Sequence, residues 1–251
     1  MKITNVLVSQ PKPTAEGNPY VLLAEKLKLN LQFKQFIKVE GVSSKEFRAQ
    51  HINLADFTAV VFTSKIGIDT YFKFAKEVKF AVPEDMLYFC STEAIALYLQ
   101  KYITFRKRKI FYGTKNVTEI TDVIKKHIDA KVLIVQGDVS PDVLPKFFEK
   151  LKMVHKEVVL YKTVSADLSD IKDSFEKNQI LVFFTPAGIR SLKENFPDWK
   201  QGDTKIAAFG ESTQDELKKL GYNLDIACPT EENPSMVMAL EKYIVANNKK
   251  K

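Results

Sequence analysis

The stretch that decides the fold is Thr204–Pro229, with the sequence TKIAAFGESTQDELKKLGYNLDIACP. Its first apolar run, Lys205–Phe209, has the length of a β-strand, and Gly210 then permits a tight turn. Ser212, followed three residues later by Asp215, has the spacing of a helix N-cap and its capping box. The pattern therefore predicts a strand, a turn and the start of a helix.

The second half of this stretch completes the unit. Leu217 and Leu220 give the helix one apolar stripe, and Gly221 stands where a left-handed residue ends a helix. Leu224–Cys228 is a second apolar strand, which Pro229 terminates. Because a strand–helix–strand unit of this kind joins parallel neighbours, the sequence predicts a parallel sheet. Ligands of open parallel sheets bind at the turns that follow the strands.

Composition limits the class of protein. The chain has 251 residues, of which 45% are hydrophobic, and this is enough for one large or two small domains. The net charge of +7 favours an anionic partner, but the basic residues are spread along the chain, and the single tight run, 106–109, precedes a strand. Cys90 and Cys228 form no CxxC pair, which suits a reducing cytoplasm. We expect a cytoplasmic protein with no signal peptide and no membrane span.

The same strand–turn–helix pattern recurs along the chain. Strands are predicted at 5–9, 59–62, 87–89, 109–112, 132–135 and 180–184, in addition to the two of the opening stretch. Helices are predicted to begin near Pro19, after Ser64 and after Thr92. Further helices are predicted over 47–54 and 118–128 and after Pro186. Three more helices are predicted with N-caps at Ser140-Pro141, Ser169 and Asn233-Pro234.

Two alternating stretches, 32–39 and 157–164, have the period of half-exposed strands. Each precedes a set of more apolar strands, and VVFTSKIGI at 60–68 is similar to VFFTPAGI at 182–189. This weak internal repeat predicts two domains of similar content, with the alternating stretches as the crossings. The residues alone leave two arrangements open: each half forms one domain, or the halves exchange elements.

An ordered set of short motifs resembles the uroporphyrinogen-III synthase family. IAAFGEST at 206–213, the following Leu-Gly at 220–221 and Pro234-Ser235 are similar to the C-terminal signature of that family. VFTS at 61–64, VLYKT at 159–163 and VFFTPAG at 182–188 are similar to its other typical turns and strands. The resemblance covers nearly the whole chain in the family's order, which makes the set more specific than any one motif.

The resemblance implies a fold of two parallel-sheet α/β domains joined by a two-stranded linker, with the active site in the interdomain cleft. Domain one would be discontinuous, over 1–37 and 167–251, and domain two would cover 40–162. The linkers would be 37–41 and 161–167. This arrangement would settle the exchange question, since the N-terminal strands would join the C-terminal half of the chain.

The resemblance also implies the reaction. A uroporphyrinogen-III synthase is a hydro-lyase of haem biosynthesis, and it closes hydroxymethylbilane to uroporphyrinogen III with loss of water and inversion of the last pyrrole ring. No cofactor and no metal is implied. The expected partner is a small polycarboxylate, not nucleic acid or a membrane, and nothing demands more than a monomer.

Candidate site residues follow from the strand-end turns. Helix N-termini carry free N–H groups and a positive dipole end, so they bind carboxylates without many arginines. By its match to the family's tyrosine, Tyr161 is the predicted catalytic proton donor. The predicted substrate-binding residues are Thr63, Ser64, Ser91, Thr92, Gly113, Thr114, Gln136, Gly137, Thr185, Pro186, Gly188, Gly210, Ser212, Thr213 and Ser235.

Each of these assignments has a plain structural alternative. The serines, threonines and glycines could serve only to cap helices, and Tyr161 could serve only to pack. The histidines His51, His127 and His155 have no acidic or cysteine partner at ligand spacing, which argues against a metal site. Two other classes of protein also stay open: a tetrapyrrole- or small-anion-binding protein of the same fold without catalysis, and a nucleic-acid-binding protein that uses the positive charge.

Overall fold

The computed structural model describes residues 2–15 and 17–249. The chain divides into two compact units. Unit 1 consists of Met1–Lys38 and Val164–Lys251, and unit 2 consists of Val39–Thr163. Each unit is built around one sheet, and each is described by itself below. The interdomain cleft that the family resemblance implies stays a prediction.

Unit 1 contains a five-stranded sheet whose paired strands all run parallel. The strands in chain order are β1 Asn5–Val8, β2 Asn30–Phe33, β9 Ile180–Phe183, β10 Lys205–Phe209 and β11 Ile226–Cys228. Their order across the sheet is β11-β10-β9-β1-β2. The opening stretch of the sequence analysis supplies β10 and β11, and the parallel sheet that it predicts is confirmed.

Helices cover both faces of this sheet. They are α1 Pro19–Leu27, α7 Lys172–Phe175, α8 Pro186–Asn195, α9 Glu211–Lys219 and α10 Met236–Lys249. One core joins strand residues such as Val6 and Val182 to Leu23 of α1 and Leu240 of α10. The core on the opposite face joins the alternate strand residues to α8 and α9. Strands buried on both faces explain why the runs in the sequence are continuously apolar.

Unit 2 is built around a six-stranded sheet in the order β3-β8-β7-β4-β5-β6. The strands are β3 Ile37–Gly41, β4 Ala59–Phe62, β5 Leu87–Cys90, β6 Ile110–Tyr112, β7 Val132–Gly137 and β8 His155–Ser165. The five strands from β8 to β6 pair in parallel. The boundaries between the two units fall inside β3 and inside β8.

The helices of unit 2 also lie on both faces of its sheet. They are α2 Ser44–Arg48, α3 Lys65–Glu77, α4 Glu93–Tyr98, α5 Thr121–Lys125 and α6 Val143–Lys150. Helices α2, α3 and α4 bury Phe47, Phe74 and Ala96 in one core, whereas α5 and α6 bury Ile124 and Phe148 in the other. Short 3-10 turns occur at Leu54–Asp56, Leu99–Lys101, Val117–Ile120 and Ser169–Ile171. Within the described residues, no helix is both long enough and apolar enough to cross a bilayer.

The prediction of a single strand over 32–39 is wrong. This stretch contains the end of β2 and the start of β3, which belong to different sheets. Phe36, in the gap between the two strands, is buried, and its carbonyl accepts hydrogen bonds from the Ala166 amide and the Ser191 hydroxyl. The alternation of apolar and polar residues continues across the gap between β2 and β3 because the Phe36 side chain is also buried in a core.

Two predicted helix positions need correction. The helix expected at 47–54 is α2, which begins at Ser44 because Ser43 and Glu46 form a reciprocal capping box. The stretch 118–128 is a 3-10 turn followed by the short helix α5, not one continuous helix.

Three predicted N-caps are also wrong. Ser140 lies before α6 but accepts from the Gly137 amide instead, and Asp142 is the residue that precedes the helix. Ser169 starts a 3-10 turn, and α7 has no side-chain cap. Ser235, not Asn233, accepts a hydrogen bond in the first turn of α10, from the Met238 amide at 3.3 Å.

Candidate active site

Four turns of unit 2 lie side by side at the carboxyl edge of its sheet. They follow β7, β4, β5 and β6, which are consecutive neighbours in the sheet and run parallel. Adjacent strands lie about 4.8 Å apart, so the turns form one continuous row. The row contains the predicted residues Thr63, Ser64, Ser91, Thr92, Gly113 and Thr114, and beside them lie Gln136 and Gly137, the last two residues of β7.

Two turns of this row open helices through a capping side chain. The Ser64 hydroxyl accepts from the Gly67 amide at 3.1 Å at the start of α3, and the Thr92 hydroxyl accepts from the Ile95 amide at 3.4 Å at the start of α4. One cap satisfies one of the four free N–H groups of a helix N-terminus. The remaining amides and the positive end of the helix dipole suit a carboxylate.

The turn after β6 already holds a carboxylate of the protein. The Glu119 carboxylate accepts from both the amide and the hydroxyl of Thr114, each at 2.6 Å, and from the Lys115 amide at 3.2 Å. These hydrogen bonds, led by that of the Thr114 hydroxyl, lower the pKa of Glu119. The turn can therefore bind an anion, and Glu119 occupies that position in this structure.

The turn after β7 is closed by hydrogen bonds within the protein. The Gln136 amide group donates to the Glu157 carboxylate at 2.7 Å, and the Gly137 N–H donates to the Ser140 hydroxyl at 3.1 Å. The next residue, Asp138, accepts from the Thr163 amide at 3.0 Å, and its own amide donates to the Tyr161 carbonyl. The hydrogen bonds of Asp138 therefore tie the β7 turn to the end of β8.

Tyr161 stands on β8, next to the β7 turn. It is the register partner of Gly137, and its half-buried ring packs against the core on the α3 side of the sheet. The neighbouring Lys162 pairs with Glu46 of α2 at 2.7 Å. Unit 2 therefore brings Tyr161 close to the turns of Ser64 and Gly137.

Unit 1 presents the remaining predicted residues at the carboxyl edge of its own sheet. The Thr185 hydroxyl accepts from the Gly188 amide at 3.2 Å, and Pro186 is the first residue of α8. Gly210 follows β10, and Ser235 follows β11 at the start of α10. Since β9, β10 and β11 are consecutive neighbours, these three turns also form a row.

The β10 turn differs in detail from its prediction. Gly210, at φ 82°, is the residue before α9, so the predicted N-cap role of Ser212 and its capping box with Asp215 are wrong. Ser212 is exposed on the first turn of the helix, whereas Thr213 is only 1% exposed. Any contact of the Thr213 hydroxyl with a substrate would require the helix start to move.

Three residues beside these turns were not predicted from the sequence. Gly67 lies in the first turn of α3 with Tyr161 against it, Asp138 connects β7 to β8, and Glu119 fills the β6 turn. The glycine has a visible signal, since a glycine inside a predicted helix has a packing reason in many proteins. Asp138 and Glu119 have no such signal in the sequence, because the shapes of the turns determine which groups they bond to.

Over residues 2–15 and 17–249, no group of three or more His, Cys, Asp or Glu side chains is placed to hold a metal ion. Both Cys90 and Cys228 are free and buried.

Two α/β units with rows of polar turns at the carboxyl ends of parallel strands place the chain in the class of open parallel-sheet α/β proteins, whose ligands bind at such turns. Residues 35–238 match the family described as uroporphyrinogen-III synthase HemD. This is well over half of the chain, and the chain belongs to the uroporphyrinogen-III synthase family. It is a hydro-lyase of haem biosynthesis that acts on a small tetrapyrrole, as the resemblance in the sequence predicted.

Two solved structures are similar to this chain. A crystal structure of uroporphyrinogen-III synthetase from Helicobacter pylori matches 97% of this chain and 100% of its own, with 15% identity and a TM-score of 0.52. A mutant uroporphyrinogen III synthase from Thermus thermophilus matches 98% of this chain and 99% of its own, with 14% identity and a TM-score of 0.46. The former similarity supports the two-domain α/β fold class.

Proposed function

We propose that this protein closes hydroxymethylbilane to uroporphyrinogen III, with the strand-end turns as carboxylate sites and Tyr161 as the proton donor. One observation carries the assignment of roles: in unit 2, the phenol-bearing strand β8 lies beside a row of anion-suited turns. A substrate that bears acetate and propionate groups on every ring needs many such sites, and a departing hydroxyl needs one proton donor.

Carboxylate binding would rest on the helix starts rather than on arginines. In unit 2 the candidates are the turns of Thr63-Ser64, Ser91-Thr92, Gly113-Thr114 and Gln136-Gly137, and in unit 1 those of Thr185–Gly188, Gly210–Thr213 and Ser235. At the β6 turn, a substrate carboxylate would have to displace Glu119, whose carboxylate holds Thr114 at 2.6 Å. On α9, the exposed Ser212 is the better contact than the buried Thr213.

The bond between the hydroxymethyl carbon and its oxygen breaks with the electron pair on oxygen, and the Tyr161 hydroxyl gives the proton that completes a water molecule. The resulting cationic carbon is then attacked by the carbon of the last pyrrole that already bears the bridging methylene, which gives a spiro intermediate. The bond from that pyrrole carbon to the original methylene breaks, and the methylene forms a new bond to the free α carbon of the same pyrrole, so that the ring is inverted. The proton that this pyrrole loses as its aromaticity returns would restore the phenol.

Much of the acceleration would come from holding the bilane curled with its two ends together, because proximity and orientation can supply a large part of the barrier reduction. Replacing Tyr161 with phenylalanine should therefore slow turnover and leave measurable activity. A variant with the wild-type rate would remove Tyr161 from the mechanism.

The decisive experiment supplies freshly prepared hydroxymethylbilane and determines the isomer ratio of the oxidised products. An excess of type III over the type I isomer of spontaneous closure supports the proposal. Type I alone, together with saturable tetrapyrrole binding, would favour the alternative of a non-catalytic tetrapyrrole- or small-anion-binding protein of the same fold. We further propose that the protein is a cytoplasmic monomer that does not bind nucleic acid. Sedimentation at several concentrations would test the monomeric state, and titration with DNA and RNA would test nucleic-acid binding.

A further inference from the structure

The ring of Tyr161 lies against two glycines: Gly137 has no room for a side chain, and Gly67 has room only for a tightly packed Cβ. A Cβ built on Gly137 would lie 2.5 Å from Cε2, 3.0 Å from Cδ2 and 3.3 Å from Cζ of Tyr161. A Cβ built on Gly67 would lie 3.3 Å from Cε1 on the other edge of the same ring. Contacts below 3.0 Å are not tolerated without movement, so the Gly137 position in particular excludes every other residue while the ring keeps its place.

A shift in strand register brings the ring to this position. Along the β7–β8 pair, Gln136 is opposite Val159 but Gly137 is opposite Tyr161, so Leu160 has no partner on β7. Such a bulge redirects the side chain that follows it. Leu160 itself stays fully buried in the core, and its carbonyl accepts from the Val42 amide of the β3 side.

Neither glycine has a conformational reason to be glycine. The glycines with positive φ are Gly17, Gly202, Gly210 and Gly221, and neither Gly67 nor Gly137 is among them. Glycine is a poorer helix former than alanine, so helix propensity does not favour it at Gly67 in the first turn of α3 either. Close approach of the tyrosine ring is the physical reason at Gly137, and at Gly67 the ring adds to contacts at 3.0 Å with Ser64 Oγ and Val135 Cγ1.

We infer that Gly67 and Gly137 are positioning residues that form a slot for the ring of Tyr161 and thereby aim its hydroxyl. The inference rests on the proposed role of Tyr161 as proton donor. It also gives Gly137 a function other than the substrate contact predicted from the sequence. A phenol held at both ring edges loses little freedom on binding substrate, and proton transfer depends steeply on such placement.

The test combines glycine variants with removal of the hydroxyl. Gly137→Ala should lower kcat by about tenfold or more with a much smaller change in KM, because a displaced general acid affects the chemical step. In a Tyr161→Phe background the same Gly137→Ala change should produce no further loss in kcat, since no hydroxyl remains to be aimed. Gly67→Ala should also lower kcat, but by a smaller factor. Part of its effect would come from crowding, because the new Cβ would lie 3.0 Å from Ser64 Oγ and from Val135 Cγ1.

Gly41→Ala is the matched control. A Cβ there would lie 2.8 Å from Thr70 Oγ1, so the change crowds unit 2 to a similar degree, but the three atoms nearest to that Cβ all belong to Thr70. It should lower the thermal unfolding temperature and leave kcat within about twofold of wild type.

Each outcome is decisive. A wild-type kcat in folded Gly137→Ala protein overturns the inference. So does an equal loss of kcat with Tyr161 present and in the Tyr161→Phe background, which would show a purely structural effect. If Tyr161→Phe itself turns over at the wild-type rate, the proton-donor role fails and the slot fails with it. If the wild-type protein yields only type I product, the proposed function fails instead. Should Gly137→Ala not fold, the same comparison made with Gly67→Ala decides.

Discussion

The carboxylate of Glu119 lies 2.6 Å from both the amide nitrogen and the hydroxyl oxygen of Thr114. It thereby occupies the position at the β6 turn that we propose for a substrate carboxylate, and it does so from only five residues further along the chain. The turns that open α3 and α4 in unit 2 use a serine or threonine cap and leave part of the helix start free. Turns that look alike in the sequence therefore differ in their capacity to bind an anion.

We expect the β6 turn to contribute least to substrate affinity. Thr114→Val should raise KM less than Thr92→Val, because Glu119 competes for the Thr114 amide and hydroxyl before substrate arrives. Steady-state kinetics with hydroxymethylbilane for the two variants gives the comparison directly. A larger KM increase for Thr114→Val would mean that Glu119 moves aside when substrate binds.

The pair of Glu46 and Lys162 should make stability depend on pH. The hydrogen bond of Lys162, followed by those of Ser43, lowers the pKa of Glu46 from 4.5 to about 2. A carboxyl whose pKa is lower in the folded state stabilises the fold above its unfolded pKa, and this contribution is lost as the pH falls. The loss should therefore extend from about pH 4.5 down to about pH 2.

Glu46→Gln tests this pH window. The variant should be less stable than wild type at neutral pH, and the difference in the free energy of unfolding should vanish towards the acid end of the window. Denaturant unfolding at a series of pH values measures it. A difference that is independent of pH would show that Glu46 acts through the α2 cap geometry and not through its charge.

The sequence predicted the β-α-β units correctly because buried parallel strands have a strong local signature. Lys205–Phe209 and Ala59–Phe62 are recognisable as strands without any knowledge of their neighbours, since both faces of each are buried. The order of the strands across each sheet could not be predicted in the same way. For example, β1 pairs with β9 from the far end of the chain, and no local sequence pattern encodes this pairing. Only the family resemblance suggested it.

Fine details of the candidate site were less predictable. Ser212 looked like an N-cap by spacing, but the positive φ of Gly210 starts the helix two residues earlier, which exposes Ser212 and buries Thr213. Glu119 and Asp138 acquire their roles from turns whose shape depends on the whole sheet edge. The slot around Tyr161 requires a register shift between β7 and β8, which leaves no mark in the composition of either strand.

Ser212 and Thr213 offer a paired test of which face of α9 meets substrate. Ser212→Ala should raise KM, since this hydroxyl is exposed beside the helix N-terminus, whereas Thr213→Val should leave KM unchanged and affect only stability. Kinetics and thermal unfolding of both variants measure the two effects. An increase in KM for Thr213→Val alone would place the substrate contact on the buried side and require the helix start to open.

The two cysteines should be unreactive in the folded protein. Burial raises the pKa of the Cys90 thiol to about 12 and also raises the pKa of Cys228, and only the thiolate reacts with disulfide reagents. Titration with an aromatic disulfide should therefore give almost no fast phase in the native protein and two equivalents after unfolding. A fast equivalent in the native state would indicate local opening at the end of β5 or β11.

Gln50 should support the bulge that aims Tyr161. Its side-chain amide donates to the Val159 carbonyl at 2.8 Å, and its side-chain oxygen accepts from the Val159 amide, also at 2.8 Å. Gln50→Ala leaves both backbone groups without these partners at the residue just before the register shift, which should cost about 1–3 kcal/mol in the free energy of unfolding. Because β8 would then be less fixed beside the β7 turn, kcat should fall as well, and KM should change less. The exposed Gln100 gives the control, and Gln100→Ala should alter neither quantity. If Gln50→Ala lowers stability but retains the wild-type kcat, the hydrogen bonds of Gln50 hold the sheet together without determining where the Tyr161 hydroxyl points.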